Sequence, residues 1–477
     1  LTAVLERVAA PLRRIRRDDD GFDRKLIAPM VLGSILNPIN SSIIAVSLVP
    51  IGRAFGAAPS QTAWLISALY LATAVGQPVV GRLVDLYGPR RLFLTGTALT
   101  GIAGLLGTFA PNLGVLILAR VILGFGTCAG YPSAMYLLRS ESERSGKHSP
   151  GGILTLLAVA NQTISVIGPS LGGVLIGVGG WRATFAVNIP LAVAGFVLGW
   201  LRFPNAAVRQ GESRSVSRID FAGIAAFAGM LVSLLLFVMT PRVSNLYLLA
   251  ISAVCAVALV VRELRTAEPF IDLRVLGGNI PLVATYVRSV LAATVTYCYL
   301  YGFTQWLEDG RGLSASVAGL VLLPTFVTAI LVSTTTGRRP GVRGKLVAGA
   351  LVQLVSGALL LMAHGSTAIW LLLGIALVVG VPQGLLNLAN QNAVYHQADP
   401  TRMGSSAGLL RTFMYLGALI ASSANGAFFP ATANTAGLHE LALFVLVVSG
   451  LLLVVTALDR SLVRVGRIGS AETPRDS

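Results

Sequence analysis

Charge is scarce in this chain. Of its 477 residues only 12% are Asp, Glu, Lys or Arg, about half the share of a soluble domain. Cysteine is scarcer still, at three residues. Cys128, Cys255 and Cys298 all sit in apolar stretches without the close spacing that a metal or a redox pair needs, so they read as packing residues. The four histidines, His148, His364, His396 and His439, fall in loops or near the ends of apolar runs. His396 has a carboxylate close by, Asp399, and no cysteine or second histidine joins them. A catalytic or metal-dependent site has nothing to be built from, so no enzymatic activity, metal or other cofactor is expected. The longest polar stretch, 202–220, is too short for a soluble sensor or scaffold domain.

What the chain has in abundance is apolar length. Hydrophobic residues make up 54% of it and the mean hydropathy is +0.76. A bilayer core about 30 Å thick needs about 20 helical residues to cross it. In that solvent each backbone N–H and C=O must be satisfied within its own segment, so long apolar runs should be helices. Buried strands of a soluble α/β protein would show runs of only about 4–8 residues between turns. Such long runs fall at 26–51, 62–83, 92–110, 113–137, 152–178, 182–201, 219–240, 244–262, 280–306, 315–337, 345–363, 367–395, 402–428 and 437–458. The expected fold class is therefore an all-α polytopic membrane protein with fourteen transmembrane helices: two six-helix bundles plus two extra central helices. The polar stretches 202–220 and 262–274 set the boundaries. They give a basic tail over 1–25, an N-terminal bundle over 26–205, a two-helix insert over 206–275, a C-terminal bundle over 276–460 and a tail over 461–477.

The net charge is +16, a value that raises the question of nucleic acid. Its placement answers it. Most basic residues fall in loops that would share one side of the membrane, with no basic stripe interleaved with aromatics. Arg53, Arg182, Arg242 and Arg311 fall on the other side, and Arg120, Arg288 and Arg411 lie within runs. The rich side is cytoplasmic by the positive-inside rule, which puts both termini in the cytoplasm. The first apolar run is long and leads into further spans, so it reads as a retained helix rather than a signal peptide.

The most specific motif lies between the second and third runs. Gly81, Asp85, Gly88, Arg90 and Arg91 stand in the spacing G-x-x-x-D-x-x-G-x-R-R. Glycines let the loop turn tightly, and Asp85 can pair with arginine or cap a helix. A shorter Gly/Arg cluster, from Gly337 through Lys345, occupies the matching loop of the second half without an acid, a weak internal repeat of the kind transporter halves show. Further on come Arg120 in Ala119–Gly126, then Gly168, Pro169, Gly172 and Gly173, Trp181 through Phe185, and Asn188 with Pro190. Together these resemble the signature motifs of the major facilitator superfamily, and in particular its 14-span drug/proton antiporter branch of multidrug efflux type. Tyr301 through Gln305, Ala318 through Leu320 and Pro324 are similar to that branch as well. The resemblance implies two bundles rocking about a central site, with Asp85 and its arginines as a cytoplasmic gating latch. It implies that Gly168, Pro169, Gly172 and Gly173 form a packed hinge, for which small residues that let helices approach closely are suited. Tight packing without gating is the plainer alternative.

One departure from the branch bears on mechanism. Its first span commonly carries an acid, and here Asn40 holds that place. No Asp or Glu falls in the middle of any run, so carriage of protons is expected to fall to Asp85, Glu308 or Asp309, or to the substrate itself. Arginines and amides are what the runs contain. Asn37, Asn40, Arg120, Asn161, Gln162, Arg288, Gln383, Asn387, Gln391 and Arg411 are the candidate lining of a substrate cavity. Gln383, Asn387 and Gln391 share one helix face at steps of four, with Asn390 alongside. Such a lining favours neutral or anionic amphiphiles over organic cations. Tyr297, Tyr299 and Tyr301 line an outer vestibule or form an aromatic belt. The expectation is a secondary active transporter of the plasma membrane, a monomer in the lipid bilayer that exports amphiphilic drugs or metabolites by alternating access, as a proton antiporter where coupling exists. The alternative is an uncoupled facilitator, or a lipid or anionic-metabolite transporter of the same fold.

Overall fold

The computed structural model describes residues 23–145, 151–204, 220–239, 242–266, 278–336, 341–397 and 403–463. The expected tails fall almost entirely outside them, as does most of both polar boundaries. Every regular element among the described residues is helical. That follows from runs too long for strands, and from a solvent in which only helices close their own hydrogen bonds.

The first stretch is α1 (Ile27–Ile43), a 3-10 turn, then α2 (Leu48–Phe55). Next come α3 (Pro59–Tyr87), α4 (Pro89–Thr108), α5 (Leu113–Thr127) and α6 (Gly130–Ser145). The long α7 (Gly151–Ala186) is broken at Gly179 and Gly180, where Gly180 takes φ 68°, a left-handed value open to glycine. It is followed by α8 (Asn188–Arg202), α9 (Phe221–Met239) and α10 (Leu246–Arg265). Beyond them lies α11 (Ile280–Tyr297), which runs through a π turn (Cys298–Phe303) into α12 (Thr304–Asp309). The remaining helices are α13 (Ala315–Thr336), α14 (Val342–Leu361), α15 (Ile369–Gln397), α16 (Met403–Phe428) and α17 (Thr435–Leu458).

Helix passes through each of the fourteen expected stretches. By length and composition, nine helical spans among the described residues can cross a membrane, or up to ten if the pair around the 45° bend between Ala186 and Asn188 counts as one. The others fall short of that length and apolarity within the described residues; Phe221–Leu234, for example, is a shorter apolar helix.

The packing repeats itself. In the first set of helices α1 packs on α7, α3 on α5, α4 on α5 and α4 on α8. The second set repeats the scheme as α11 on α16, α13 on α15, α14 on α15 and α14 on α17. Two extended seams join the sets, α3 against α16 and α7 against α13, one contributed by each related position. α9 and α10 pack on each other, and α9 rests on α3 and α16 beside one seam. α10 is 11% buried over its most apolar window, so its valine face is left to lipid. The largest apolar cluster gathers both sets at one end, from Leu48, Leu65 and Trp181 to Trp306, Phe429 and Leu438. That end carries Arg53 and Asp309.

Candidate functional site: the seam between the two helix sets

On α1 a row of polar residues faces its neighbours. Asn37 donates from Nδ2 to Thr127 Oγ1 at 3.1 Å and lies 3.4 Å from Thr73 Oγ1, joining α1 to α5 and α3. Asn40 is otherwise engaged. Its Nδ2 donates to Asn188 Oδ1 at 2.6 Å, and Asn188 Nδ2 returns a bond to Asn40 Oδ1 at 2.9 Å. Both residues are buried, so the amide in the acid's place is half of a closed pair tying α1 to α8.

Arg120 is also held within the first set. It is 2% exposed, its Nε donates to the Leu65 carbonyl at 2.8 Å and its NH1 to the Asn40 carbonyl at 3.3 Å. Two main-chain oxygens replace a counter-ion here, as a buried guanidinium requires. Asn161 on α7 bonds the Leu157 carbonyl at 2.7 Å and Ser34 Oγ at 3.3 Å. The Gln162 side chain lies outside the described residues.

The second set divides its polar residues differently from the expectation of one lining. Arg288 is fully buried and its NH1 meets Asp459 Oδ2 at 2.6 Å, with NH2 on Thr285 Oγ1. Asp459 in turn accepts from Ser461 N at 3.0 Å. Burial pushes the Asp459 carboxyl up, but the hydrogen bonds from Ser461 and Arg288 outweigh it and hold the group below the usual carboxylate range. Arg288 is therefore neutralised inside its own helix set. Gln383 lines a cavity of about 20 Å³, room for one water, walled by α11, α14, α15 and α17 with Gln353, Ser356 and Tyr299. That cavity belongs to the second set alone. Gln391 Nε2 bonds Asn387 Oδ1 at 3.0 Å along α15, and Asn390 is buried. The step of four survives as a helix stripe, but only Asn387 and Gln391 stay together.

What the structure brings together between the sets is chiefly aromatic. The Tyr301 hydroxyl donates to the Ser41 carbonyl at 3.2 Å. Its proton is thus spent, and the Tyr70 hydroxyl donates to it at 2.9 Å. Tyr70 packs edge-on against Tyr297 at 5.3 Å and lies 5.5 Å from Tyr415, while Tyr297 stacks on Tyr301 at 5.6 Å. The π turn packs one more residue into each turn, and Tyr299, Tyr301 and Phe303 are all buried in it. These tyrosines form an internal wall and not a belt at the lipid interface. Lower on α16, Arg411 crosses the seam, its guanidinium 3.9 Å over the Tyr131 ring of α6.

Towards the Arg53 end the sets are tied by polar contacts. Arg53 NH2 meets Asp309 Oδ1 at 2.9 Å and the Glu308 carbonyl at 3.4 Å. Glu308 itself is 2% exposed, and its Oε1 has no hydrogen-bond partner. Ser67 Oγ donates to Ser422 Oγ at 2.9 Å, which donates to the Ala63 carbonyl at 2.8 Å. On the other seam Ser170 Oγ donates to the Gly319 carbonyl at 3.1 Å and Ser316 Oγ to that of Gly173 at 2.6 Å. Of the expected hinge residues, Gly168 and Gly172 face Ser42, Ile43 and Val46 of the 27–46 stretch, whereas Gly173 faces Ser316 across the seam and the Pro169 carbonyl packs against Gly319.

The expected latch is partly described. Gly88 takes φ 85° between α3 and α4. Arg90 donates to the Trp200 carbonyl at 2.9 Å and lies 5.1 Å over the Trp200 ring, within its own helix set. Gly81 is part of α3, Arg91 is exposed, and the Asp85 side chain lies outside the described residues. Sequence reasoning missed Tyr70, Tyr131, Tyr415 and Arg53. For Arg53 a signal existed: one of only four arginines on the base-poor side, which also holds the acid pair Glu308 and Asp309. The tyrosines of α3 and α16 gave none.

Repeated helical packing about two seams, with polar groups inside and apolar faces outside, defines a membrane transporter of the two-bundle class. The sequence profile of the Major Facilitator Superfamily matches residues 30–422, and the chain belongs to that family. It is 34% identical over 427 residues to the uncharacterized MFS-type transporter YwoD of Bacillus subtilis (strain 168), covering 88% of this chain and 93% of that one. It is 29% identical to the lincomycin resistance protein of Streptomyces lincolnensis, over 80% and 79% of the two chains. The tetracenomycin C resistance and export protein of Streptomyces glaucescens is 27% identical, over 83% and 74%. Among solved structures the peptide transporter POT superposes with a TM-score of 0.66 at 15% identity, over 93% of this chain and 95% of that one. The nucleoside transporter NupG gives 0.61 at 12%, over 92% and 99%. At such identities these two speak for the fold. The family and these neighbours are transporters, and the chain is a multi-pass membrane protein.

Proposed function

We infer that the protein is a secondary active exporter, carrying amphiphilic drugs or metabolites out across the cytoplasmic membrane by alternating access in exchange for protons. The observation that carries this reading is the closure between the helix sets towards the Arg53 end, where Tyr70, Tyr301 and Ser41 bond across the seam and Glu308 keeps a buried, unpartnered carboxyl oxygen. The resistance and export proteins among the relatives support the direction. In this reading the chain crosses fourteen times, with bundles over 26–205 and 276–460, an insert over 206–275 and both tails, 1–25 and 461–477, cytoplasmic. The Arg53 end faces outward and the protein works as a monomer. The loop bearing Gly81, Asp85, Gly88, Arg90 and Arg91 is the inner latch, and α7 from Gly168 to Gly173 is the hinge.

Neutral or anionic amphiphiles are the favoured cargo, because an arginine on the passage repels cationic cargo at low dielectric. Asn37, Asn161, Gln162, Asn387, Gln391 and Arg411 are the lining in this reading. Asn40, Arg120, Arg288 and Gln383 act from within their own bundles. Glu308 is the proton-carrying group: Asp309 is engaged by Arg53, and Asp85 is the second candidate. Uncoupled facilitation is the competing reading, favoured by one observation: the position of the branch's buried acid is an amide closed on Asn188.

The test is transport in proteoliposomes with a pH gradient in either sense. Coupled export predicts uphill cargo movement driven by protons, and loss of that drive in Glu308→Gln with counterflow exchange retained. Equal rates with and without the gradient would establish the facilitator.

A further inference from the structure

Resting on the reading that cargo passes between the bundles, we propose that the cargo is a flat aromatic compound bearing an acidic group, a carboxylate or phenolate. Arg411 and the tyrosines beside it are its recognition site. Three arginines lie within spans, and the structure separates them. Arg288 is neutralised by Asp459. Arg120 is 2% exposed and held by two main-chain carbonyls. Arg411 is only half-buried, and among the described residues no carboxylate lies within ion-pair distance of it. Its guanidinium lies 3.9 Å over the face of Tyr131 from the opposite bundle, and the Tyr415 hydroxyl of its own helix is within its reach. A guanidinium stacked on a ring points its five N–H donors outward in its own plane, so with one turned to the Tyr415 hydroxyl others remain for a carboxylate or phenolate. An arginine within a span is costly unless something pairs with it, and among the described residues no carboxylate does so.

The neighbouring surface is aromatic. Tyr415 stands one helical turn beyond Arg411 on α16, so both present on one face. From Tyr415 the rings continue to Tyr70 at 5.5 Å, Tyr297 at 5.3 Å from Tyr70, and Tyr301 at 5.6 Å from Tyr297. Tyr70 and Tyr301 are fully buried, with their hydroxyls bonded to each other. Tyr131, Tyr297 and Tyr415 are partly accessible, so the sealed end of the ring series is the hydroxyl pair and the open part carries Arg411. Flat rings in the cargo can extend the existing offset and edge-on contacts, while its acidic group meets the guanidinium. An alkyl chain would satisfy the charge and leave those ring faces unmatched.

The experiment uses the full chain in nanodiscs and follows quenching of its intrinsic fluorescence. The probes are an anthraquinone carboxylate, its methyl ester, an anthraquinone bearing a quaternary ammonium, and an alkyl carboxylate of similar length. The acid should bind at least about tenfold more tightly than the ammonium compound. Arg411→Gln should bring the acid down to the level of the ester. Arg411→Lys, which keeps charge but not the planar stack, should retain a preference for acid over ester. Tyr415→Leu should weaken acid and ester together. Equal binding of acid and ammonium compound, or an acid affinity indifferent to Arg411→Gln, overturns the proposal. An alkyl carboxylate that binds as well as the aromatic one overturns its aromatic half. Proteoliposomes separate this from the exporter reading. Arg411-dependent binding of the acid without export leaves the site standing and sinks the exporter. Proton-driven export of another cargo with no acid bound does the reverse.

Discussion

The two seams that join the bundles are built from different materials. Along α7 and α13 the main chains approach closely: Gly173 and Gly319 leave no room for a side chain, and the Ser170 and Ser316 hydroxyls bond glycine carbonyls across the seam. Along α3 and α16 side chains meet side chains, with Ser67 on Ser422 and Tyr70 beside Tyr415, and Ser422 also reaches the Ala63 carbonyl. Two positions related by the internal repeat have thus diverged. A seam made of backbone has one low-energy arrangement and suits a pivot. A seam made of hydroxyls and rings can exchange partners and suits a surface that opens to cargo. The same division separates the proposed hinge from the proposed site.

The largest effect should come from filling the backbone seam. A Cβ on Gly319 would stand 2.6 Å from the Pro169 carbonyl oxygen, and one on Gly173 2.6 Å from Ser316 Cα. Neither neighbour is the end of a flexible side chain, so the helices must part. Gly319→Val should abolish transport, while Ser67→Ala on the other seam should cost about 1 kcal/mol of stability, the net worth of one hydrogen bond. Transport rate and thermal stability of the two variants measure the contrast. Equal tolerance at both seams would end the distinction between pivot and opening surface.

Much of this fold could be read from local pattern, because the membrane imposes a length on every span that sequence displays directly. The apolar run from Ala315 to Thr336 had to be a helix wherever it packed. The glycine at 88 announced a turn for the same local reason, and its φ of 85° is one that glycine alone takes freely. Partnership is another matter. Arg288 meets Asp459 171 residues away, and Arg53 meets Asp309 across 256. No periodicity within one helix encodes which acid a buried base will find. The amides of α15 show the limit most plainly. Their spacing of four was visible, yet Gln383 turns into a cavity of the second bundle, because a helix stripe says which residues are aligned and not which neighbour they face.

The second contrast is between how the bundles satisfy their buried polar groups, and it predicts the next largest effect. The second bundle uses a charged pair, Arg288 with Asp459. Removing one partner strands a buried charge, which typically costs about 3–5 kcal/mol. Asp459→Asn should therefore lower the unfolding midpoint strongly, and Arg288→Met with Asp459→Leu should recover most of the loss. Because the folded Asp459 titrates below its ordinary value, its contribution is present above the unfolded-state pKa, about 3.9. It is lost as pH falls through the still lower folded value. Wild-type stability should decline through that acid range, and Arg288→Met with Asp459→Leu should flatten the decline. A single mutant as stable as its parent would place the pair among ornamental ion pairs.

In the first bundle the reciprocal amides of Asn40 and Asn188 tie two helices without an ion pair, and here the expected effect is smaller than at the charged pair. Restoring the acid typical of the branch, Asn40→Asp, would set a carboxylate oxygen where Nδ2 now donates to Asn188 Oδ1 at 2.6 Å and to the Leu36 carbonyl at 2.8 Å. Acceptor then faces acceptor, and a buried group left unsatisfied costs about 1–3 kcal/mol. The bond from Asn188 Nδ2 survives, and a protonated carboxyl can donate to Asn188 Oδ1, which places the effect below that of Asp459→Asn. Asn40→Asp should thus be folded but less stable than wild type, and should gain no proton-driven transport where Glu308→Gln has lost it. If Asn40→Asp rescued the drive of Glu308→Gln, position 40 would reach the passage after all, and the view of the Asn40–Asn188 pair as a neutral, closed support would have to be given up.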